Sequence, residues 1–175
     1  RLTYTAFLVK ACGVALEDHR VFDSELDEDA GELVLHDGVN ISVATETDDG
    51  VRFPVVENVD EKGVAEIAAE IDELVESVRA DDSEYNRTDS GGLTVYNVGA
   101  VGGEGMAVLP PHPGTAAVGV GEIRRRPYVV EEDVVARYTV PLSLTFDHRV
   151  ADTAAAARFT NDLKRYLNDP MEMLL

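Results

Sequence analysis

The run Val-Pro-Leu-Ser-Leu-Thr-Phe-Asp-His-Arg-Val-Ala-Asp, residues 140–152, joins the two most legible elements of the chain. Upstream, Val134 to Phe146 is long, mostly apolar and rich in β-branched residues, which predicts a strand. Downstream, Asp152 to Leu167 has helical period, with Asp152 as N-cap and Ala155, Ala156, Phe159, Leu163 and Tyr166 facing inward. His148 therefore falls at a strand-to-helix junction, where rigid elements hold a side chain that can still point into a cleft.

Working outward, Thr5 to His19 carries one apolar stripe at helical spacing, including Phe7, Leu8, Ala11, Val14 and Ala15. The acidic stretch from Asp23 to Glu32 reads as a turn ending in Gly31, followed by a short strand at Leu33–Leu35. Ile41 to Thr47 and Val51 to Val56 read as strands of a hairpin closed by Asp48-Asp49-Gly50. Pro54 pushes the second of these toward a sheet edge, because it has no amide to donate. Gly63 to Arg79 is an amphipathic helix with Val64, Ile67, Ala68, Ile71, Leu74, Val75 and Val78 on one face. Asp81 to Gly92 is polar. Leu93 to Val98 reads as a strand running into a glycine-rich loop, Gly99 to Gly105, and Thr115 to Val120 as another strand. Helices and strands mix without strict alternation and without repeats, so a single α/β domain of the α+β two-layer type is expected over 1–175, a mixed sheet with helices on one face.

Composition narrows the function classes. Thirty-four acidic residues face fifteen basic ones, a formal net charge of −19, and only Lys10, Lys62 and Lys164 are lysines. A field of that sign repels nucleic acid and anionic membranes. Scarce lysine, few aromatics and no Trp suit a halophile, whose molar salt shortens the Debye length to about 3 Å and screens self-repulsion. No apolar run is long enough to cross a membrane and no secretory pattern opens the chain; a cytoplasmic location is expected. Cys12 is the only cysteine, and His19, His36, His112 and His148 lack metal-ligand spacing, so neither an internal disulfide nor a metal is expected. Without an initiator Met, the chain reads as a piece of a longer polypeptide.

Histidine suits proton transfer near neutral pH, because its ordinary pKa lies close to that range. Thiol chemistry needs such a base, since the thiolate is the nucleophile and a free thiol titrates near about 8.5. A histidine between Asp147 and Arg149 is more often a surface or structural residue, so spacing alone does not make it catalytic. Asp152 is placed to pair with Arg149 or another arginine and fix the turn.

Four ordered blocks go further. Phe146-Asp147-His148-Arg149-Val150-Ala151-Asp152 resembles the DHRxxD(G) signature of the 2-oxoacid dehydrogenase acyltransferases, which contains the HxxxD of the wider chloramphenicol acetyltransferase-like superfamily. Asn40 to Val55 resembles the family's NIGVAVDTxxGLVVPV segment, and Gly92-Leu93-Thr94-Val95-Tyr96-Asn97-Val98-Gly99 its GTFTISNIG segment. Ala157 to Pro170 and the Leu174-Leu175 end are similar to its last helix and tail. The resemblance covers essentially the whole chain. It implies a chloramphenicol acetyltransferase-like fold and a dihydrolipoamide acyltransferase that moves an acyl group between dihydrolipoyl-lysine and coenzyme A. His148 would take the thiol proton, and Asp152 would hold the site through an ion pair. Oxyanion candidates are Thr94, Tyr96 and Asn97; Glu46, Gly102 and Gly103 are candidates for the coenzyme A and lipoyl channel. The resemblance also implies homotrimers with sites at subunit interfaces, assembled into a higher-order shell with 2-oxoacid decarboxylase and dihydrolipoamide dehydrogenase components. Lipoyl and subunit-binding domains are expected upstream.

Three departures leave alternatives open. Tyr96 stands where the family has a small hydroxyl residue, and a lost oxyanion donor can cost roughly 100- to 1,000-fold in rate. Thr153 replaces the glycine after the motif's acid, and the family's N-terminal segment, with its basic residues for coenzyme A, is not in this sequence. A shell-forming scaffold with weak or no catalysis, and a coenzyme A-dependent transferase with a non-lipoyl acceptor, therefore remain as alternatives. Arg124-Arg125-Arg126 is expected to bridge subunits, and the Met171 to Leu175 tail to dock on a neighbouring trimer.

Overall fold

The computed structural model describes residues 2–80 and 92–173. The polar segment expected over 81–92 lies outside them except for Gly92, as does the Leu174-Leu175 end. Three helices form where the amphipathic patterns lie. α1 spans Tyr4–Asp18 with Thr3 as N-cap, α2 spans Val64–Arg79 behind Gly63, and α3 spans Thr153–Asn168 behind Asp152. Eleven strands are described: β1 Ser24–Asp27, β2 Glu32–Leu35, β3 Ile41–Val43, β4 Thr45–Thr47, β5 Gly50–Arg52, β6 Val55–Val56, β7 Leu93–Asn97, β8 Ala116–Val120, β9 Arg124–Val130, β10 Asp133–Thr139 and β11 Leu142–Phe146.

A mixed five-stranded sheet in the order β11-β8-β7-β3-β6 carries the fold. β7 runs parallel to both β3 and β8, while β11 and β6 are antiparallel to their neighbours. β6 is an edge strand, as Pro54 requires, and the Pro54 carbonyl still accepts the amide of Val43 at 2.9 Å.

The register sorts the side chains onto two unlike faces, because alternate residues of a strand point opposite ways. Ile41, Val43, Leu93, Val95, Ala116, Val118, Val120, Leu142, Leu144 and Phe146 share the face that joins the core with the helices. α1 lies between α2 and α3 and packs against both. Phe22 and Phe159, ring centroids 5.1 Å apart, are among the largest fully buried side chains; burying each contributes about 2–3 kcal/mol. Gly13 lets α1 approach Val59, since a Cβ there would sit 2.5 Å from Val59 Cγ1. Lys10 snorkels to the same turn and donates to the carbonyls of Val59 and Asp60 at 3.3 and 2.8 Å.

The opposite face carries Ser42, Thr94, Tyr96, Ala117, Gly119, Ser143 and Thr145, all small or hydroxylated. Residues 106–109 cross it. Tyr96, Gly119 and Ser143 form one row over β7, β8 and β11. The Ser143 hydroxyl donates to Met106 O at 2.5 Å and the Tyr96 hydroxyl to Leu109 O at 2.8 Å. Between them the crossing segment lies so close that a Cβ on Gly119 would meet Met106 O at 2.9 Å.

Two expectations need correction. The acidic stretch after Asp23 is not only a turn: β1 forms within it and pairs with β2. The run from Val134 to Phe146 is two strands. β10 pairs with β9, over the residues read only as a basic patch, and β11 pairs with β8. The break lies at Val140-Pro141, where proline has no N–H to continue a ladder. β9 and β10 form an arm that leaves Tyr128, Val129, Val134 and Tyr138 exposed. Two of its arginines pair within the chain: Arg124 with Glu104, and Arg126 with the carbonyls of Glu122 and Thr139.

Candidate active site

His148 sits in the turn that follows β11. Its ring is exposed and packs against that of Phe146, centroids 4.5 Å apart. The turn is fastened from both sides. Asp147 donates its amide to Thr115 O at 2.8 Å, and its own carbonyl accepts the amides of Val150 and Ala151 at 3.1 and 3.2 Å. The Asp147 carboxylate receives the Arg149 amide at 2.8 Å and the Arg149 guanidinium at 2.7–3.1 Å. The hydrogen bonds from Arg149 hold this carboxyl below its ordinary range.

Among the described residues, Asp152 does not make the ion pair expected of it: it pairs with neither Arg149 nor another arginine. Its carboxylate accepts the amide of Ala155 at 2.7 Å and so caps α3, as its position also predicted. Arg149 turns instead to Asp147 and to Glu28, whose carboxylate lies 3.0 Å from Nη2. The roles of Arg149 and Glu28 are not legible in the sequence, because Glu28 is one acid among many between Asp23 and Glu32.

The other candidates gather elsewhere. Asn97 ends β7; its amide donates to Thr5 Oγ1 at 2.9 Å and its carbonyl accepts Ala100 N at 3.1 Å, opening a 3-10 turn over Val98–Val101. Gly102, at φ +82°, closes that turn. Gly103 follows, donating to Val98 O at 2.9 Å and accepting from Glu122 N at 2.7 Å. Glu46 is exposed on β4, which continues from β3 alongside this end of β7. The Tyr96 ring packs edge-on against Phe53, centroids 5.9 Å apart, and burial pushes its phenol pKa up. Thr94 is 1% exposed on β7, and its hydroxyl has no hydrogen-bond partner.

The register measures the separation. Phe146 is level with Ala116 and Leu93, and Tyr96 and Asn97 are level with Gly119 and Val120. Four residue steps at about 3.3 Å put roughly 13 Å between those levels, and His148 lies two residues further out. Within one chain, His148 and Asp152 stand at one end of the sheet; Tyr96, Asn97, Gly102, Gly103 and Glu46 stand at the other.

The family model of the 2-oxoacid dehydrogenases acyltransferase (catalytic domain) matches residues 1–175. The chain belongs to this family. It is 37% identical over 177 residues to the dihydrolipoyllysine-residue acetyltransferase component of the pyruvate dehydrogenase complex of Staphylococcus epidermidis, and equally to that of Staphylococcus aureus. All of this chain aligns, but it spans only 40% of the length of those relatives. Among solved structures, the cubic core of the pyruvate dehydrogenase multienzyme complex superposes with a TM-score of 0.92 at 34% identity, covering 100% of this chain and 72% of that one. The dihydrolipoamide acetyltransferase of Azotobacter vinelandii gives 0.91 at 35% identity, covering 99% and 72%. Chloramphenicol acetyltransferase, at 12% identity and TM-score 0.62, shares the family's fold. The expected mixed α/β architecture, with its chloramphenicol acetyltransferase-like fold, is thus the observed one.

Proposed function

We propose that the chain is the acyltransferase core of a 2-oxoacid dehydrogenase complex, moving an acyl group between dihydrolipoyl-lysine and coenzyme A in a site built by two copies. The carrying observation is the separation of His148 from the Tyr96–Asn97 end of its own sheet. A base at one end and donors at the other form a single site only when the His148 end of one chain meets the Tyr96 end of another. A cyclic homo-oligomer provides that head-to-tail contact.

In the acetyltransferase from Azotobacter, a serine, a histidine and an asparagine were studied for their part in the catalytic mechanism; the serine lies 52 positions before the histidine and the asparagine four after. Tyr96, His148 and Asp152 have the same spacing here. His148 takes the proton from the coenzyme A thiol, and the thiolate attacks the carbonyl of the acyl-lipoyl thioester. The tetrahedral oxyanion collapses, the new thioester forms, and the departing lipoyl sulfur recovers the proton from the imidazolium. Asp152 contributes by fixing the start of α3 behind the turn. Among the described residues no helix is long and apolar enough to cross a membrane, which suits work on soluble carriers in the cytoplasm.

The scaffold reading draws on one observation: the Tyr96 hydroxyl, with its single proton, already donates to Leu109 O. An acyl-CoA plus dihydrolipoamide assay on the full-length assembled protein separates the two. His148→Ala should lower kcat by about 100- to 10,000-fold, the usual contribution of a general base. Assemblies mixed equally from His148→Ala chains and an inactive Tyr96→Phe/Asn97→Ala variant should regain activity at about a quarter of sites, as a head-to-tail shared site predicts. Wild-type turnover unaffected by His148→Ala rules out this base; mixed assemblies without recovery rule out the shared site.

A further inference from the structure

We infer that Glu28, on the turn of the β1–β2 hairpin, is a positioning residue for His148 that acts through Arg149. The inference rests on the proposed role of His148.

The hairpin touches the His148 turn at both of its ends. At its base, Ser24 and Thr115 are joined through backbone and side chains: Thr115 N donates to Ser24 O at 3.2 Å, Thr115 Oγ1 lies 3.0 Å from the same carbonyl, and the two hydroxyls lie 2.9 Å apart. The carbonyl of the same Thr115 holds the Asp147 amide. At its tip, Glu28 Oε1 accepts from Arg149 Nη2 at 3.0 Å, and Nη2 also binds Asp147 Oδ2 at 2.7 Å. Ser24, Thr115, Asp147, Arg149 and Glu28 thus form a closed circuit, and β1 itself completes it. His148 lies between two members of that circuit, Asp147 and Arg149.

The tip is built to hold Glu28 still. Asp27 Oδ1 accepts the amides of Asp29 and Ala30 at 3.0 and 2.9 Å, and Gly31 N returns to Asp27 O at 2.9 Å. Gly31 has φ +69°, a conformation glycine adopts without strain. The hairpin is anchored along its length by Leu26 N donating to Pro113 O at 3.1 Å and by the bridge between Glu25 and Gly114. Arg149 has a planar fork of donors. With its Nε and Nη2 shared between Asp147 and Glu28, its plane is fixed by two separate parts of the chain. Reaction rates respond steeply to small misplacement of a catalytic group, so a support outside the turn can act on the rate while leaving the fold intact.

Glu28 and Arg149 are both largely exposed, and exposed pairs of this kind are weak. The expected effect is therefore modest, about two- to fivefold. In the full-length assembled protein, Glu28→Ala should lower kcat by that factor with the KM for coenzyme A unchanged. Glu28→Gln, which keeps an oxygen to accept from Nη2, should recover most of the loss. In an Arg149→Met background, Glu28→Ala should have no further effect, and in the wild-type background it should speed hydrogen exchange at the amides of Arg149, Val150 and Ala151. Unaltered kcat in Glu28→Ala, or an equal loss in both backgrounds, overturns the inference while acyl transfer stands. A wild-type protein without acyl transfer overturns the proposed function and this inference together.

Discussion

The two ends of the central sheet are held by different physics. At the His148 end the fastenings are pairs of charged groups: the exposed Arg149 with Asp147 and Glu28, and Arg20 with the buried Asp23. At the Tyr96 end they are short-range contacts: the Phe53–Tyr96 ring pair, the two hydroxyls that bind residues 106–109, and glycines packed against backbone. The difference fits a division of labour. A base needs a polar surround and an open approach, whereas the donors of an oxyanion site work best when fixed and partly dry. It also means that salt and pH should act more strongly on the His148 end, since the ion pairing at the other is that of the exposed Arg124 with Glu104 and Glu122.

Salt should have the largest effect. The formal charge is −19, and the His148 end concentrates acids, with Asp23, Glu25, Asp27, Glu28, Asp29, Asp147 and Asp152 around Arg20, Arg149, His36 and His148. Self-repulsion of that size is tolerable where the Debye length is about 3 Å and grows costly as it lengthens toward 10 Å. Lowering KCl from molar to physiological concentration should dissociate the assembly and lower the melting temperature by several degrees. Hydrogen exchange should rise first in β1–β2 and the turn after β11. A melting temperature independent of KCl, or loosening that starts at the Tyr96 end, would break the contrast.

Asp23 offers a sharper probe of the same end. It is 0% exposed, and burial pushes its carboxyl up to about 6 despite Arg20 at 3.6 Å and the backbone amide of Gly92. Since the folded value lies above the unfolded one, near 3.9, folding disfavours the ionised form. The stability associated with this group is present below about pH 4 and lost as pH rises through about 6. That elevation corresponds to at most about 3 kcal/mol at neutral pH. Asp23→Asn should therefore raise the melting temperature at pH 7.5, by roughly 2–4 °C per kcal/mol. The gain should shrink to nothing near pH 4. A variant that is less stable at pH 7.5 would show that the charge is compensated in the assembly.

Much of the fold was legible because the core-facing pattern is strong. The stripes of α2 and α3 each satisfy one period only, whereas α1, expected to carry one stripe, is buried on nearly all sides because it lies between the other two helices. The errors arose where tertiary contacts outweigh local preference. β1 has the composition of a turn, Ser-Glu-Leu-Asp, and becomes a strand because β2 pairs with it and Pro113 accepts the Leu26 amide. The split at Val140-Pro141 was signalled by the proline, yet the apolar run on both sides hid it. Of the site, the residue types were visible and their arrangement was not. His148 and Tyr96 are separated by 52 positions, and nothing local records that β7 and β11 lead them to opposite ends of the sheet. The support from Glu28 was equally hidden, since 121 positions lie between it and Arg149.

The smallest effect tests the Tyr96 end. Removing the phenol hydroxyl in Tyr96→Phe leaves the ring against Phe53 and breaks only the bond to Leu109 O. Leu109 is well exposed, so water can satisfy the freed carbonyl and the loss should be about 0.5–1.5 kcal/mol, a few degrees of melting temperature. That loss should be independent of KCl and of pH between 5 and 8, because burial pushes the phenol pKa further up and keeps the hydroxyl protonated. Activity carries the additional information. If the hydroxyl leaves Leu109 O to donate to the developing oxyanion, kcat should fall by about 100-fold or more, far beyond what the small change in stability explains. If kcat falls only in step with stability, Tyr96 is a strut for residues 106–109. The stabilising donor then belongs to another group at that end of the sheet, with the Asn97 amide, now held by Thr5 Oγ1, the next to examine.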